Sequence, residues 1–325
     1  MSNRKKLLIR TDNSASIGLG HLMRTLLLAD GLKEHFDITY LCRELEGSQN
    51  HLILERAFGL RIIKSMECEE LLSVIQEIQP TLCIIDHYGV DDTCEKKIRS
   101  LCPLFVFDDE FKMHNADFIL NHSFIAKPDD YDYLPNTKVL AGSRYSLLKD
   151  AFLEHKNRFT PLGSLKNKKV LITLGGTDVL RLSAPIKKAL LRLEPSLHVS
   201  IVTTSANPQV AYLKRVEKNI IVDEKDMASL MQQYDLIITS ASTSLLETFS
   251  LKKPFIAVQC ASNQGKTVDI IKQSGLGNII ESFTPSALKR ALLFVQYRPQ
   301  KIKRVLEQYH FEKDGAAKEI INVYQ

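Results

Sequence analysis

The chain has 325 residues, 44% hydrophobic and 25% charged, with six cysteines and no tryptophan. This composition excludes intrinsic disorder and a disulfide-stapled miniprotein, and at about 100–200 residues per domain the length predicts two domains, each with its own core. The formal net charge of +5 conceals an asymmetry, because residues 1–150 carry 18 basic and 23 acidic side chains and residues 151–325 carry 25 and 15. A basic half suits nucleic acid, a membrane surface or an anionic small molecule. With no tryptophan and with lysines scattered along the predicted helices, no nucleic-acid partner is expected, and most of the excess reads as solvated surface. No apolar run approaches the roughly 18–20 residues of a membrane span, and the polar, basic start is followed by no signal-peptide apolar stretch, so no membrane partner and a cytoplasmic location are expected. The cysteines include no C-x-x-C pair, and Cys42, Cys83 and Cys260 sit in apolar runs. All six are therefore expected as reduced, mostly buried thiols.

In chain order, the first half reads as strands at residues 7–11, 38–42, 61–63, 82–86, 104–107 and 118–120. Helices lie between them, most clearly at 21–33, 67–78 and 91–101, the last stopping just before Pro103 because proline disfavours helical backbone in the residue before it. Residues 155–169, polar and containing Pro161 and Gly163, interrupt the alternation and read as a linker. The second half restarts with strands at 170–174, 199–203, 220–222, 236–239 and 255–258, and residues 299–325 read as helical. Such alternation predicts parallel sheets built from right-handed βαβ units. The expected fold is α/β, with two doubly wound Rossmann-like domains (1–154 and 170–325) facing a cleft and the last helix free to cross back. This is the glycosyltransferase B architecture. Ligands of such sheets bind beyond the carboxyl ends of the strands, which directs attention to those loops.

The first strand runs through Asp12 to Gly18-Leu19-Gly20-His21 and then into an apolar helix. Glycines there permit a tight turn and leave helix N–H groups free for a polar ligand. The pattern departs from a dinucleotide fingerprint, because Met23 takes the third glycine position and Cys42-Arg43 stands where an acidic residue would close the second strand. A nicotinamide cofactor is not expected. An imidazole at a helix start is favoured in its neutral form, so His21 is a candidate general base, the alternative being a histidine that merely caps or packs. After the fourth strand come Asp86-His87-Tyr88-Gly89, suited to binding sugar hydroxyls, orienting His21 or touching a reacting water, or simply to capping the next helix. Asp108-Asp109-Glu110 follows the fifth strand. One acidic cluster without partner ligands is weak ground for a metal, and none is expected.

In the second half, the strand at 170–174 ends in Gly175-Gly176-Thr177-Asp178, which allows close approach of a phosphate. Ser240-Ala241-Ser242-Thr243-Ser244 passes from a strand end into a helix, with Glu247 one turn in. Free N–H groups, the helix dipole and hydroxyl donors together suit a diphosphate, and Glu247 suits ribose hydroxyls. The competing account is ordinary N-capping. Asn263-Gln264, after the strand at 255–258, offers amides for sugar hydroxyls and N-acyl groups, or a helix cap.

These motifs, together with Ile119-Leu120-Asn121 and residues 142–152, occur in the order found in the UDP-2,4-diacetamido-2,4,6-trideoxy-β-L-altropyranose hydrolases of bacterial pseudaminic acid biosynthesis, a family the chain resembles over nearly its whole length. The resemblance implies a metal-independent hydrolase of the glycosyltransferase B fold, without cofactor, whose partner is a UDP-sugar. By position it makes His21 the base for water, Tyr88 a residue of the reacting centre and Asn263 a contact at the catalytic site. It assigns substrate binding to Asp12, Gly18, Gly20, Asp86, Gly175, Gly176, Ser242, Thr243, Ser244, Glu247 and Gln264. Lys149 stands where the family pattern leads one to expect arginine; it keeps the charge without the bidentate geometry and is left out of the site. The reaction expected is attack of water at C1 with inversion. The alternatives are a glycosyltransferase using the same UDP-sugar and a non-catalytic nucleotide-sugar binding protein. Nothing in the sequence requires more than a monomer.

Overall fold

Strand β1 (Lys5–Thr11) is buried on both faces from Leu7 onward, as expected of a central strand in a parallel sheet covered by helices on each side. The computed structural model describes residues 4–14, 16–131, 136–154 and 158–324, apart from the side chain of Asn263. It divides into two units, residues 1–148 with 311–325, and residues 149–310.

In unit 1, β1 is followed by α1 (Gly20–Leu32), β2 (Phe36–Arg43), α2 (His51–Leu54), β3 (Gly59–Ile63), α3 (Cys68–Ile78), β4 (Leu82–Asp86), α4 (Asp92–Arg99), β5 (Leu104–Phe107), β6 (Phe118–Asn121) and β7 (Lys138–Ala141). The sheet order is β3-β2-β1-β4-β5-β6-β7, every pairing parallel. The chain winds outward from β1 in one direction and returns to build from β4 in the other, so the crevice between β1 and β4 is the switch point where such sheets bind ligands. Thr11 pairs with Asp86 in register, placing the loop that leaves β1 beside the end of β4.

Unit 2 repeats the plan with β8 (Lys169–Thr173), α5 (Ser183–Leu193), β9 (His198–Thr203), α6 (Val210–Val216), β10 (Ile220–Val222), α7 (Met227–Gln232), β11 (Leu236–Ser240), α8 (Thr243–Ser250), β12 (Phe255–Val258), α9 (Gly265–Gln273), β13 (Ile279–Ile280), α10 (Pro285–Tyr297) and α11 (Pro299–Glu307). Its order is β10-β9-β8-β11-β12-β13, also parallel, with the switch point between β8 and β11. β7 and β13 go unrecognised in the sequence because they are short edge strands without a long apolar run.

The C-terminal helix α12 (Gly315–Tyr324) belongs to unit 1. The segment read as helical, 299–325, holds α11 and α12, separated by a stretch in which Asp314 has φ +55°. Ala316, Ala317 and Ile320 join Leu22, Leu26 and Ala29 of α1 in one core cluster. Gly31 permits this approach, since a Cβ there would lie 2.9 Å from Ala317 Cβ. Drawn along the structural division, the charges are 19 basic and 25 acidic in unit 1 and 24 basic and 13 acidic in unit 2.

The expectation of six reduced cysteines is corrected. Cys68 and Cys94 form a disulfide, and Cys42, Cys83, Cys102 and Cys260 are buried free thiols. Cys68 opens α3 and Cys94 lies in the first turn of α4; these helices pack side by side, so residues 26 positions apart come to a Cα separation of 5.7 Å. Residue spacing carries no trace of that adjacency. The linker expected at 155–169 begins with three residues outside the described ones. Among the described residues, no helix is long and apolar enough to cross a membrane.

Candidate active site

The loop from β1 to α1 folds on Ser14, whose Oγ accepts from the amides of Ser16 and Ile17 while Gly18 N donates to Ser14 O at 2.9 Å. Gly18 has φ +84°, a conformation that costs glycine little and other residues much. A Cβ on Gly18 or Gly20 would meet nothing within 4 Å, so the loop borders open space. α1 then begins, with His21 as its second residue.

His21 Nδ1 lies 2.6 Å from Asp86 Oδ1. Asp86 is 1% exposed and also receives Arg24, whose Nε lies 2.6 Å from Oδ2 and whose Nη2 lies 2.5 Å from Oδ1. Burial disfavours the charged carboxylate, but the charge and hydrogen bonds of Arg24, with those of His21, outweigh it and hold Asp86 down at about 2. An ionised carboxylate only accepts, so the short contact requires a proton on His21 Nδ1 and, in the neutral ring, a bare Nε2. A carboxylate that fixes an imidazole in this way leaves its other ring nitrogen able to accept a proton.

Tyr88 packs edge-on against His21, ring centroids 4.8 Å apart, and its hydroxyl donates to Asp109 Oδ1 at 2.8 Å. Asp109 Oδ2 accepts from Arg24 Nη1 at 2.7 Å. Burial and the neighbouring Asp109 push the Tyr88 phenol well above its usual range, so it stays protonated. His122, at the end of β6, lies 3.4 Å from Arg24 Nη1, and burial together with the Arg24 charge pushes it down to about 4.

Asp12, to which the family resemblance assigns a substrate contact, lies buried among Arg10, Arg43 and His87. It is 1% exposed, its Oδ1 accepts from Arg10 Nη1 at 2.6 Å and Arg43 N at 2.8 Å, and its Oδ2 accepts from Arg10 Nη2 at 2.8 Å, Arg43 Nε at 2.8 Å and His87 Nε2 at 3.1 Å. Burial opposes its ionisation, but the His87 and Arg10 hydrogen bonds hold it well below the usual carboxylate range. His87 Nδ1 accepts from Gly89 N at 2.8 Å, so Nε2 carries the ring proton and donates to Asp12 Oδ2. Asp12 and His87 thus hold the loops after β1 and β4 together, and Asp86 alone of that stretch orients His21. The acidic run after β5 is equally committed: Asp108 accepts from Tyr131 Oη at 2.7 Å, Asp109 from Arg24 and Tyr88, and Glu110 pairs with Lys112. Among the described residues, no group of three or more His, Cys, Asp or Glu side chains is arranged to hold a metal ion.

In unit 2, Gly175 has φ +88°, and Gly176 O accepts from the hydroxyls of Thr203 at 3.0 Å and Thr204 at 2.9 Å. Asp178 caps α5 through the amides of Leu182 and Ser183, each at 3.0 Å. Ser242 stands at the N-cap of α8 but makes no capping hydrogen bond; its Oγ lies 2.7 Å from Ser240 Oγ. Ser242 and Thr243 are exposed and Ser244 is half-buried, leaving a helix start rich in hydroxyls. Glu247, half-buried, is pushed up to about 7 by burial, with the positive charge of Lys149 opposing the rise. Gln264 Oε1 accepts from Cys260 N at 2.8 Å. The side chain of Asn263 lies outside the described residues.

Sequence reasoning missed Arg24 and His122, and it named Lys149 only to leave it out of the site. Arg24 was within reach of it, because three positions beyond His21 on a helix is the same face. His122 carries no local signal, and Lys149 gains its relation to Glu247 only through folding.

No family model matches the chain. It is 33% identical over 279 residues, 83% of the chain and 97% of the relative, to the UDP-2,4-diacetamido-2,4,6-trideoxy-beta-L-altropyranose hydrolase of Campylobacter jejuni. It is 25% identical over 82% of its length, and 81% of the relative's, to the spore coat polysaccharide biosynthesis protein SpsG of Bacillus subtilis. Among solved structures, Acinetobacter baumannii MurG superposes with a TM-score of 0.66 over 98% of the chain and 99% of its own at 15% identity. The spinosyn rhamnosyltransferase SpnG gives 0.64 over 98% and 100% at 11% identity. These neighbours show the glycosyltransferase B fold, and at such identity the fold alone.

Proposed function

Because the chain belongs to the family of UDP-2,4-diacetamido-2,4,6-trideoxy-β-L-altropyranose hydrolases, we propose that it releases UDP from that sugar nucleotide by attack of water at C1, in pseudaminic acid biosynthesis. The observation that carries the reading is the His21–Asp86 pair at the switch point of unit 1. His21 Nε2 takes the proton of the water as its oxygen bonds to C1. The C1–O bond breaks on the opposite face, its electron pair leaves with UDP, and the sugar is released with inverted configuration. Asp86 holds the ring and stabilises the imidazolium that forms. UDP is a good leaving group and needs no acid to protonate it.

The proposal assigns water and sugar to the acidic unit 1 and UDP to the basic unit 2. Tyr88 and Asn263 contact the sugar, while Gly18 and Gly20 give it room. Gly175, Gly176 and the α8 start at Ser242, Thr243 and Ser244 meet the charge growing on the diphosphate. Glu247 accepts from ribose hydroxyls, and Gln264 lends its amide to the sugar side. Asp12 and Asp86 act through the residues they hold. No metal enters the reading, in keeping with the commitment of Asp108, Asp109 and Glu110 to protein partners.

The test is incubation of the purified protein with UDP-2,4-diacetamido sugars in ¹⁸O-water, with and without EDTA and with no acceptor. Label in the free sugar is expected, and His21→Ala is expected to lower turnover by at least about 100-fold with the fold retained. Label in UDP, or release only with an acceptor, would overturn the reaction. Tight UDP binding without turnover of any sugar would point to a binding protein instead.

A further inference from the structure

The assignment of His21 as a base raises a difficulty that the structure answers. A carboxylate in direct contact favours imidazolium, and a ring already protonated takes no proton from water. His21 faces Asp86 from β4, Tyr88 from the loop after β4 and Arg24 from its own helix; Asp109, from the loop after β5, and His122, from the end of β6, reach it through Arg24. Two carboxylates belong to this set, Asp86 in contact with the ring and Asp109 reaching it through Arg24.

Arg24 stands between them. Its guanidinium, 11% exposed and therefore weakly screened by water, grips Asp86 through Nε and Nη2 and Asp109 through Nη1, and it lies over the Phe107 ring at 5.4 Å. Its Nη2 is also 3.0 Å from His21 Nδ1. With Nδ1–H donating to the ionised Asp86, that nitrogen offers Arg24 no lone pair, so Arg24 acts on the ring by its charge. On the far side His122 is neutral and meets Nη1 without adding charge.

We propose that Arg24 is a positioning residue that keeps His21 uncharged by balancing Asp86 and Asp109, so that the Nδ1–Asp86 hydrogen bond fixes the ring without protonating Nε2. The proposal rests on the reading of His21 as the base and adds what makes that base usable beside a buried carboxylate.

Two readouts separate its failure from that of the reaction. The first is the NMR titration of the His21 imidazole in ¹⁵N-histidine protein, its signal identified by loss in His21→Gln. In Arg24→Met the midpoint is expected to rise by more than about one pH unit. In Arg24→Lys, which keeps the charge and loses the two-pronged grip, it is expected to move by less than about half a unit. The second is the pH profile of UDP release. The acid limb of kcat/KM in Arg24→Met should move up with the titration and the rate should recover at high pH, whereas Arg24→Lys should keep the limb and lose about tenfold in kcat. An unchanged His21 midpoint in folded Arg24→Met overturns the proposal whatever the rate does. Should that variant fail to fold, Asp109→Asn must lower the midpoint, and an unmoved midpoint there overturns it equally. If no UDP-sugar is hydrolysed, the reaction falls and the imidazole titration still decides the role of Arg24.

Discussion

His21 Nδ1 and Asp86 Oδ1 lie 2.6 Å apart although their residues are separated by 65 positions in the chain. The relation follows from sheet order: β4 pairs directly with β1, Asp86 sits opposite Thr11, and the loop leaving β1 delivers His21 over the end of β4.

Asp86→Asn replaces an acceptor-only carboxylate by a group that also donates, which removes control of the ring's tautomer and takes a charge from Arg24. The kcat for UDP release is expected to fall roughly 10³- to 10⁴-fold, as for the corresponding change in serine-protease triads, with KM within about threefold of wild type. Steady-state kinetics beside circular dichroism checks this, and a rate within tenfold of wild type would remove Asp86 from the mechanism.

Glu247 is pushed up to about 7 by burial. If its ionised form receives the ribose hydroxyls, affinity for a UDP-hexose rises with pH as the carboxylate loses its proton. Between pH 6 and pH 8 the gain is expected to reach up to about tenfold, because the ionised fraction rises by about that factor. Calorimetry at the two values should show the rise in wild type and a flat response in Glu247→Gln.

His114 lies between Glu95 Oε1 at 2.7 Å and Asp108 Oδ1 at 3.5 Å. Burial disfavours its charge, but the two carboxylates outweigh burial and push it up to about 9 from the usual 6.5. A base whose folded value is raised contributes stability that is fully present below its unfolded value and is lost as pH rises through the folded one. Urea denaturation should therefore show a loss on the order of 2 kcal/mol between pH 6.5 and pH 9. His114→Gln should remove that slope, and a slope that survives the substitution would assign it to other groups.

The Cys68–Cys94 bond spans 26 positions and joins the starts of α3 and α4. Closing a loop of that length contributes about 3–4 kcal/mol in the chain-entropy account. Cys68→Ser with Cys94→Ser should lower stability by about 2–4 kcal/mol without reductant. In dithiothreitol the wild type should fall to the level of the double variant, and equal stability of the two proteins without reductant would deny the bond any contribution.

The sequence by itself determined the class of fold, most strand positions and which loops carry chemistry. Apolar periodicity reports how each segment is buried, and β10, β12, β4 and β5 are bounded as the runs predict. It also determined that His21 stands at a helix start beside glycines. Only the tertiary structure decided which carboxylate His21 meets, that Asp12 is consumed by Arg10, Arg43 and His87, and that Arg24 reaches Asp109 across 85 positions. It decided too that two of the six cysteines bond and that α12 packs on α1. The reason is common to all of these. A residue's periodic pattern records whether it faces a core, whereas its partner is set by the order in which strands assemble into the sheet, and that order leaves no local mark on the chain.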